Sequence, residues 1–125
     1  LVMQYRKPAE AVLYEIPAGL AHEGESALEA AKRELEEEAG FRAKKIKKIF
    51  EGFSSPGYST EVIQFFLAGG LTKVGQSAEE DELIDVKLVS IKEAINLIKQ
   101  GKVKDLKSII GIMIAERKSK HGKIY

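Results

Sequence analysis

The sequence predicts an α/β layered domain. Three observations carry that expectation. Strand-like apolar stretches stand on both sides of one long amphipathic segment, residues 26–40. Two further helical patterns close the chain. The 125 residues, 44% hydrophobic and 31% charged, suffice for a single domain with a real core.

The same bulk properties exclude several classes. A net charge of +1 gives no long-range field for nucleic acid or an acidic membrane surface. The absence of cysteine removes disulfides and thiolate metal sites. No apolar run approaches a membrane span and no signal-peptide pattern is present, so the cytoplasm is the expected compartment.

Residues 1–6 and 11–16 read as two strands joined by Lys7-Pro8-Ala9-Glu10. Pro8 cannot donate to a ladder and belongs in that connection. Pro17 ends the second strand. Ser26 followed by Glu29 is a capping box that starts a helix at about Ser26, and Gly40 supplies the left-handed residue that stops it. Residues 46–50 form a short strand after a basic approach, Lys44-Lys45-Ile46-Lys47-Lys48. No aromatics interleave with these lysines, so a solvated strand edge is preferred to a nucleic-acid patch. Residues 52–60 form a loop around Ser54-Ser55-Pro56-Gly57-Tyr58, and residues 61–68 a strand apolar enough to lie centrally. A polar connection, residues 69–79, delivers the acidic cluster Glu79-Glu80-Asp81-Glu82. Residues 84–89 alternate as a strand. Ser90 and Glu93 repeat the capping-box pattern for a helix reaching about Gln100, where Gly101 breaks it. Asp105 caps a last helix to about Lys118, with Leu106, Ile109, Ile110, Met113 and Ile114 as its expected buried side.

The chemistry concentrates between Gly19 and Phe41. At roughly 100° per residue, Glu34 and Glu38 lie about 40° apart on the helix and Glu37 about 60° to the other side of Glu34. Three carboxylates therefore share one face, while Leu28, Leu35 and Ala39 form the adjacent stripe expected to pack on a sheet. Like charges at this spacing repel, so a clustered set calls for a counter-ion, and hard carboxylate oxygens suit Mg2+ or Mn2+. The alternative for such a run is a solvated acidic face.

The spacing of these residues decides between the two. Gly19, Glu25, Arg33, Glu34, Leu35, Glu37, Glu38, Gly40 and Phe41 match every fixed position of G-x5-E-x7-R-E-U-x-E-E-x-G-U, where U is apolar. That pattern is the Nudix box, and the chain resembles a Nudix hydrolase along essentially its whole length. The resemblance implies one Nudix domain over residues 1–125, a mixed β-sheet sandwiched between helices. It also implies hydrolysis of a nucleotide diphosphate with Mg2+, or Mn2+ as the alternative. Glu34, Glu37 and Glu38 would hold metal together with the backbone carbonyl of Ala18. Arg33 would orient the carboxylates and Glu25 would brace the loop after Gly19.

Features outside the box narrow the substrate. Glu15-Ile16-Pro17-Ala18-Gly19 is similar to the ELPAG entry of ADP-ribose pyrophosphatases, and Pro56 stands 15 residues beyond Phe41, the spacing that marks that subfamily. Ser55-Pro56-Gly57-Tyr58-Ser59-Thr60-Glu61 resembles its SPG-x-x-x-E segment. The resemblance implies cleavage of ADP-ribose to AMP and ribose 5-phosphate. The alternatives are a sugar-nucleotide pyrophosphatase acting on ADP-glucose or a GDP-sugar, and a Nudix-like domain that binds ADP-ribose without cleaving it. Arg6, Gly57, Tyr58 and Glu61 become candidate substrate contacts. Glu80 becomes the candidate base, with Glu37 and Glu38 as the other catalytic candidates, and Glu82 a further metal ligand. The expected partner is a small nucleotide-sugar substrate, with neither nucleic acid nor membrane. The subfamily carries an N-terminal strand region that exchanges between subunits. Because Leu1-Val2-Met3 opens directly in a strand, that region is expected to be missing here, and a homodimer is expected where it is present.

Overall fold

The computed structural model describes residues 1–77 and 84–120. Its elements are β1 (Val2–Arg6), β2 (Ala11–Glu15), α1 (Ala27–Ala39), β3 (Phe41–Phe53), β4 (Val62–Lys73), β5 (Asp85–Val86), α2 (Ile91–Lys99) and α3 (Leu106–Lys120). They divide into two compact units, residues 17–77 and the described residues on either side of them.

In the unit built from both ends of the chain, β1 lies between β2 and β5 and pairs antiparallel with each. The β1–β2 register runs from Val2 opposite Glu15 to Arg6 opposite Ala11. Their connection is a 3-10 turn over Lys7–Ala9, with Pro8 inside it and Glu10 left-handed at φ 49°. The core gathers Ala94, Leu97, Val103 and Ile112, with Tyr14, Ile16 and Ile109 packed against it. The Ser90 hydroxyl accepts from Glu93 N and starts α2. The Asp105 carboxylate accepts from Ser108 N at 3.0 Å and starts α3.

Two expectations fail in this unit. The strand expected over residues 84–89 is shorter: β5 covers Asp85–Val86, and Lys87 extends the pairing by exchanging two backbone hydrogen bonds with Leu1, each at 2.8 Å. The buried face of α3 is also turned from the expected stripe: Leu106 is 72% and Met113 56% exposed, Ile110 is exposed too, and the inward positions are Ser108 and Ile112 with Ile109. The physical reason is a polar contact that outranks the apolar pattern. The Ser108 hydroxyl, fully buried, accepts from the backbone N–H of Ile16 at 2.9 Å, and leaving that amide unpaired costs about 1–3 kcal/mol.

The second unit is a helix on a hairpin. β3 and β4 pair antiparallel from Phe41 opposite Lys73 to Phe53 opposite Val62, with an irregularity between Lys48 and Phe50. α1 packs against β3. β3 is far longer than the expected 46–50. Gly40, at φ 72°, reverses the chain directly from helix into strand, so pairing begins at Phe41. The lysines extend along that ladder as exposed edge residues, in keeping with the solvated edge expected of them. At the far end Phe50 and Phe65 meet with ring centroids 5.7 Å apart, and Ser55 carbonyl accepts from Tyr58 N and Ser59 N to close the tip.

Candidate active site

α1 begins and ends where its caps dictate. Ser26 accepts from Glu29 N at 3.2 Å while Glu29 accepts from Ser26 N at 2.8 Å. The two positions buried along the helix are Ala30 and Glu38; Leu28, expected to pack on the sheet, is exposed. Burial follows the loop that crosses the helix, because Glu38 Oε2 accepts from Ala18 N at 2.9 Å. That contact leaves Glu38 only 6% exposed.

Arg33 is the hub. Its Nε and Nη2 donate to the two oxygens of Glu25 at 2.9 and 3.1 Å, and Nη2 also donates to the Leu20 carbonyl at 2.9 Å. Its Nη1 donates to Glu34 Oε1 at 2.7 Å and to Glu37 Oε2 at 2.9 Å. A planar five-donor fork is what makes one side chain able to serve three carboxylates and a carbonyl. Glu25 in turn accepts from His22 N at 2.9 Å, which closes the loop on itself. The Arg33 guanidinium, helped by the His22 amide, holds the Glu25 carboxyl down at about 2. Reciprocally, the bond to Glu25 raises Arg33 above its ordinary value.

Gly19 lies against the same cluster. A Cβ there would stand 1.9 Å from Glu34 Oε1 and 2.0 Å from its carboxyl carbon, so any side chain would displace Glu34. The structure thus brings Gly19, Glu25, Arg33, Glu34 and Glu37 together and joins Ala18 to Glu38. Among the described residues no three carboxylates converge on one point as a closed cation cage. Glu34 and Glu37 converge instead on one guanidinium nitrogen, a positive group between two hard oxygen donors. That donor chemistry fits a divalent cation.

Arg6 is engaged by Glu15, donating through Nε at 2.9 Å and Nη2 at 2.8 Å. Tyr58 is 97% exposed at the hairpin tip beside Gly57. Glu61, expected inside a strand, precedes β4; its N–H donates to Ser59 Oγ at 3.0 Å and its carbonyl accepts from Ser54 N. Glu80 and Glu82 lie outside the described residues. Sequence reasoning missed Glu15 as a charged core residue, 2% exposed, whose carboxyl Arg6 and Lys107 hold below the usual range. Its place before Pro17 gave no sign of Lys107. Leu20, whose carbonyl fixes Arg33, left no side-chain signal at all.

Residues 1–109 match the NUDIX domain family. The chain belongs to the Nudix family. It is similar to the ADP-ribose pyrophosphatase of Bacillus subtilis, 39% identical over 120 residues, covering 94% of this chain and 65% of that protein. It is also similar to the GDP-mannose pyrophosphatase of Yersinia enterocolitica, 34% identical over 125 residues, with 93% and 65% covered. This Nudix chain therefore spans just under two thirds of the length of these curated relatives. Among solved structures, a crystal structure of an ADP compounds hydrolase superposes with a TM-score of 0.86 at 22% identity, covering 98% of this chain and 66% of the other. That likeness establishes the α/β Nudix fold, and within it the pairings among the described residues are antiparallel.

Proposed function

We propose that the chain is a Nudix hydrolase domain that cleaves the diphosphate of ADP-ribose to AMP and ribose 5-phosphate with Mg2+, or with Mn2+ in its place. The observation that carries this reading is the charge imbalance at the box: one guanidinium faces Glu25, Glu34 and Glu37 while Glu38 stands one turn beyond Glu34. Glu34, Glu37, Glu38, the Ala18 carbonyl and Glu82 would hold the cation. Held there, a divalent ion would neutralise charge on the phosphate oxygens and lower the pKa of water. Arg33 keeps Glu34 and Glu37 aimed together, Glu25 locks Arg33, and Gly19 leaves room for Glu34 against the backbone. Glu80 is the candidate base, on the sequence pattern alone, with Glu37 and Glu38 at the reacting end of the helix. Arg6, Gly57, Tyr58 and Glu61 remain proposed substrate contacts by the same resemblance.

The Bacillus relative, the ELPAG-like entry and Pro56 support ADP-ribose. The Yersinia relative supports a second reading, a sugar-nucleotide pyrophosphatase. A binding domain without catalysis is less well supported, since every box glutamate is present. We further propose a cytoplasmic location, and a homodimer where the N-terminal strand region of the subfamily is present. Among the described residues, no helix is long and apolar enough to cross a membrane.

The deciding experiment incubates the protein and Mg2+ with ADP-ribose and, separately, with GDP-mannose. AMP from ADP-ribose is expected as the faster product. GMP from GDP-mannose with no AMP from ADP-ribose overturns the substrate assignment in favour of the second reading.

A further inference from the structure

The last turn of α1 carries Glu37 and Glu38, and it is the turn least able to hold itself. Its final carbonyls have no donors within the helix, and helix ends fray. Glu36, Glu37 and Glu38 place three negative charges at the negative end of the helix dipole, and no basic residue lies in that turn. An isolated helix with this ending would unwind at the positions meant to present carboxylates.

The segment following β4 crosses this end. Val74 N and Gly75 N both donate to the Gly40 carbonyl, at 2.8 and 3.3 Å. Ser77 N donates to the Glu37 carbonyl at 3.2 Å, and Gln76 Nε2 donates to the Glu38 carbonyl at 2.7 Å. The fit is close: a Cβ on Gly40 would stand 3.0 Å from Gln76 N and 3.1 Å from the Gly75 carbonyl carbon. Neighbouring residues of one strap thus supply donors to the backbone carbonyls of the two glutamates. The shorter of those two bonds comes from a side chain rather than from the backbone.

Because the direction of a helical Cβ is fixed by its backbone, holding these carbonyls also aims the carboxylates. We propose that Gln76 is a positioning residue, which keeps the last turn of α1 helical and so preorganises Glu37 and Glu38 for a divalent cation. This rests on the metal-binding reading of the box. Gln76 is itself exposed, so substituting it removes no core.

The test uses Mn2+ alone, without nucleotide, and two variants. Gln76→Met keeps length and loses the donor; Gln76→His supplies a neutral N–H donor at pH 8. In Gln76→Met, calorimetry should show Mn2+ binding weakened about tenfold, in the range seen when groups supporting metal ligands are removed. Amide exchange at Gly40 in the metal-free protein should be faster, while the melting temperature moves by less than about 2 °C. Gln76→His should recover most of the affinity and the protection. Unchanged Mn2+ affinity in Gln76→Met overturns the role, as does an equal loss in both variants. A parent protein that takes up no Mn2+ overturns the metal reading and this inference with it, which separates the two failures.

Discussion

Two arginine–carboxylate networks sit in different parts of the chain, and they are built on opposite accounts of charge. Around Glu15, Arg6 and Lys107 face Glu15 and Asp105, two cations for two carboxylates, with Glu15 buried. Around Arg33, a single cation faces Glu25, Glu34 and Glu37. Among the described residues the charges of the first balance, which is the condition for keeping a charge out of water. The second is left negative and half-exposed. A fold has no structural reason to maintain such a deficit. Such a deficit is what the proposed divalent cation would offset.

That contrast can be broken by substitution, the sharpest being Glu38→Gln. Glutamine still accepts from Ala18 N, so the fold should persist, while a lost metal ligand removes several kcal/mol of transition-state stabilisation, on the order of 100-fold or more in rate. AMP release measured beside a melting curve checks both halves. Undiminished turnover would take Glu38 out of the metal set.

Glu15→Ala should do the reverse. It removes the buried carboxylate that Arg6 and Lys107 share, leaving Lys107 with Asp105, and should cost roughly 3 kcal/mol in urea unfolding, the usual penalty for breaking a buried pair. Below the unfolding transition, kcat should be retained. A kcat loss as large as that of Glu38→Gln would erase the distinction between the networks.

Arg33→Lys keeps the charge and loses the fork, since one ammonium cannot span Glu25, Glu34, Glu37 and the Leu20 carbonyl. We expect kcat/KM to fall about 10- to 100-fold with stability changed by less than about 1 kcal/mol. Equal activity in the lysine variant would mean that charge alone, not geometry, is what the box requires.

The smallest effect concerns pH. The folded value of Glu25, about 2, lies below the ordinary 4.5. The contact with Arg33 therefore contributes its full stability above pH 4.5 and loses it as pH falls toward 2. A carboxyl-carbon NMR titration should find Glu25 still ionised at pH 3.5, and Arg33→Lys should move its midpoint upward. A midpoint near 4.5 in the parent protein would show that the fork is not formed in solution.

The box network was largely legible because its signals are local. Ser26, Glu29 and Gly40 fix the limits of α1 through their own backbone chemistry, and the helical period alone sets Glu34, Glu37 and Glu38 on one face. The Glu15 network was illegible for the opposite reason. Lys107 lies 92 positions from Glu15, and the pairing of Arg6 with Glu15 depends on two strands lying side by side, which no single residue signals. The same limit misplaced the buried side of α3. A serine does not look like core, and Ser108 faces inward because its hydroxyl accepts from the amide of Ile16. Gln76 was hidden in a stretch that composition marks simply as polar connection. β3 was underestimated because nothing local shows that pairing begins at Phe41, directly after Gly40 turns the chain, until the partner strand is known.

The separations along the chain also bear on how the protein comes into being. Arg33 finds its loop partners within 13 positions and Ala18 finds Glu38 within 20, whereas Glu15 and Ile16 wait for Lys107 and Ser108, each 92 positions on. On a ribosome the box loop can close on its helix while β2, although Arg6 is already made, still lacks Lys107 and Ser108. For that interval Glu15 is a hydrated carboxylate, and the step that buries it comes only when α3 has been synthesised.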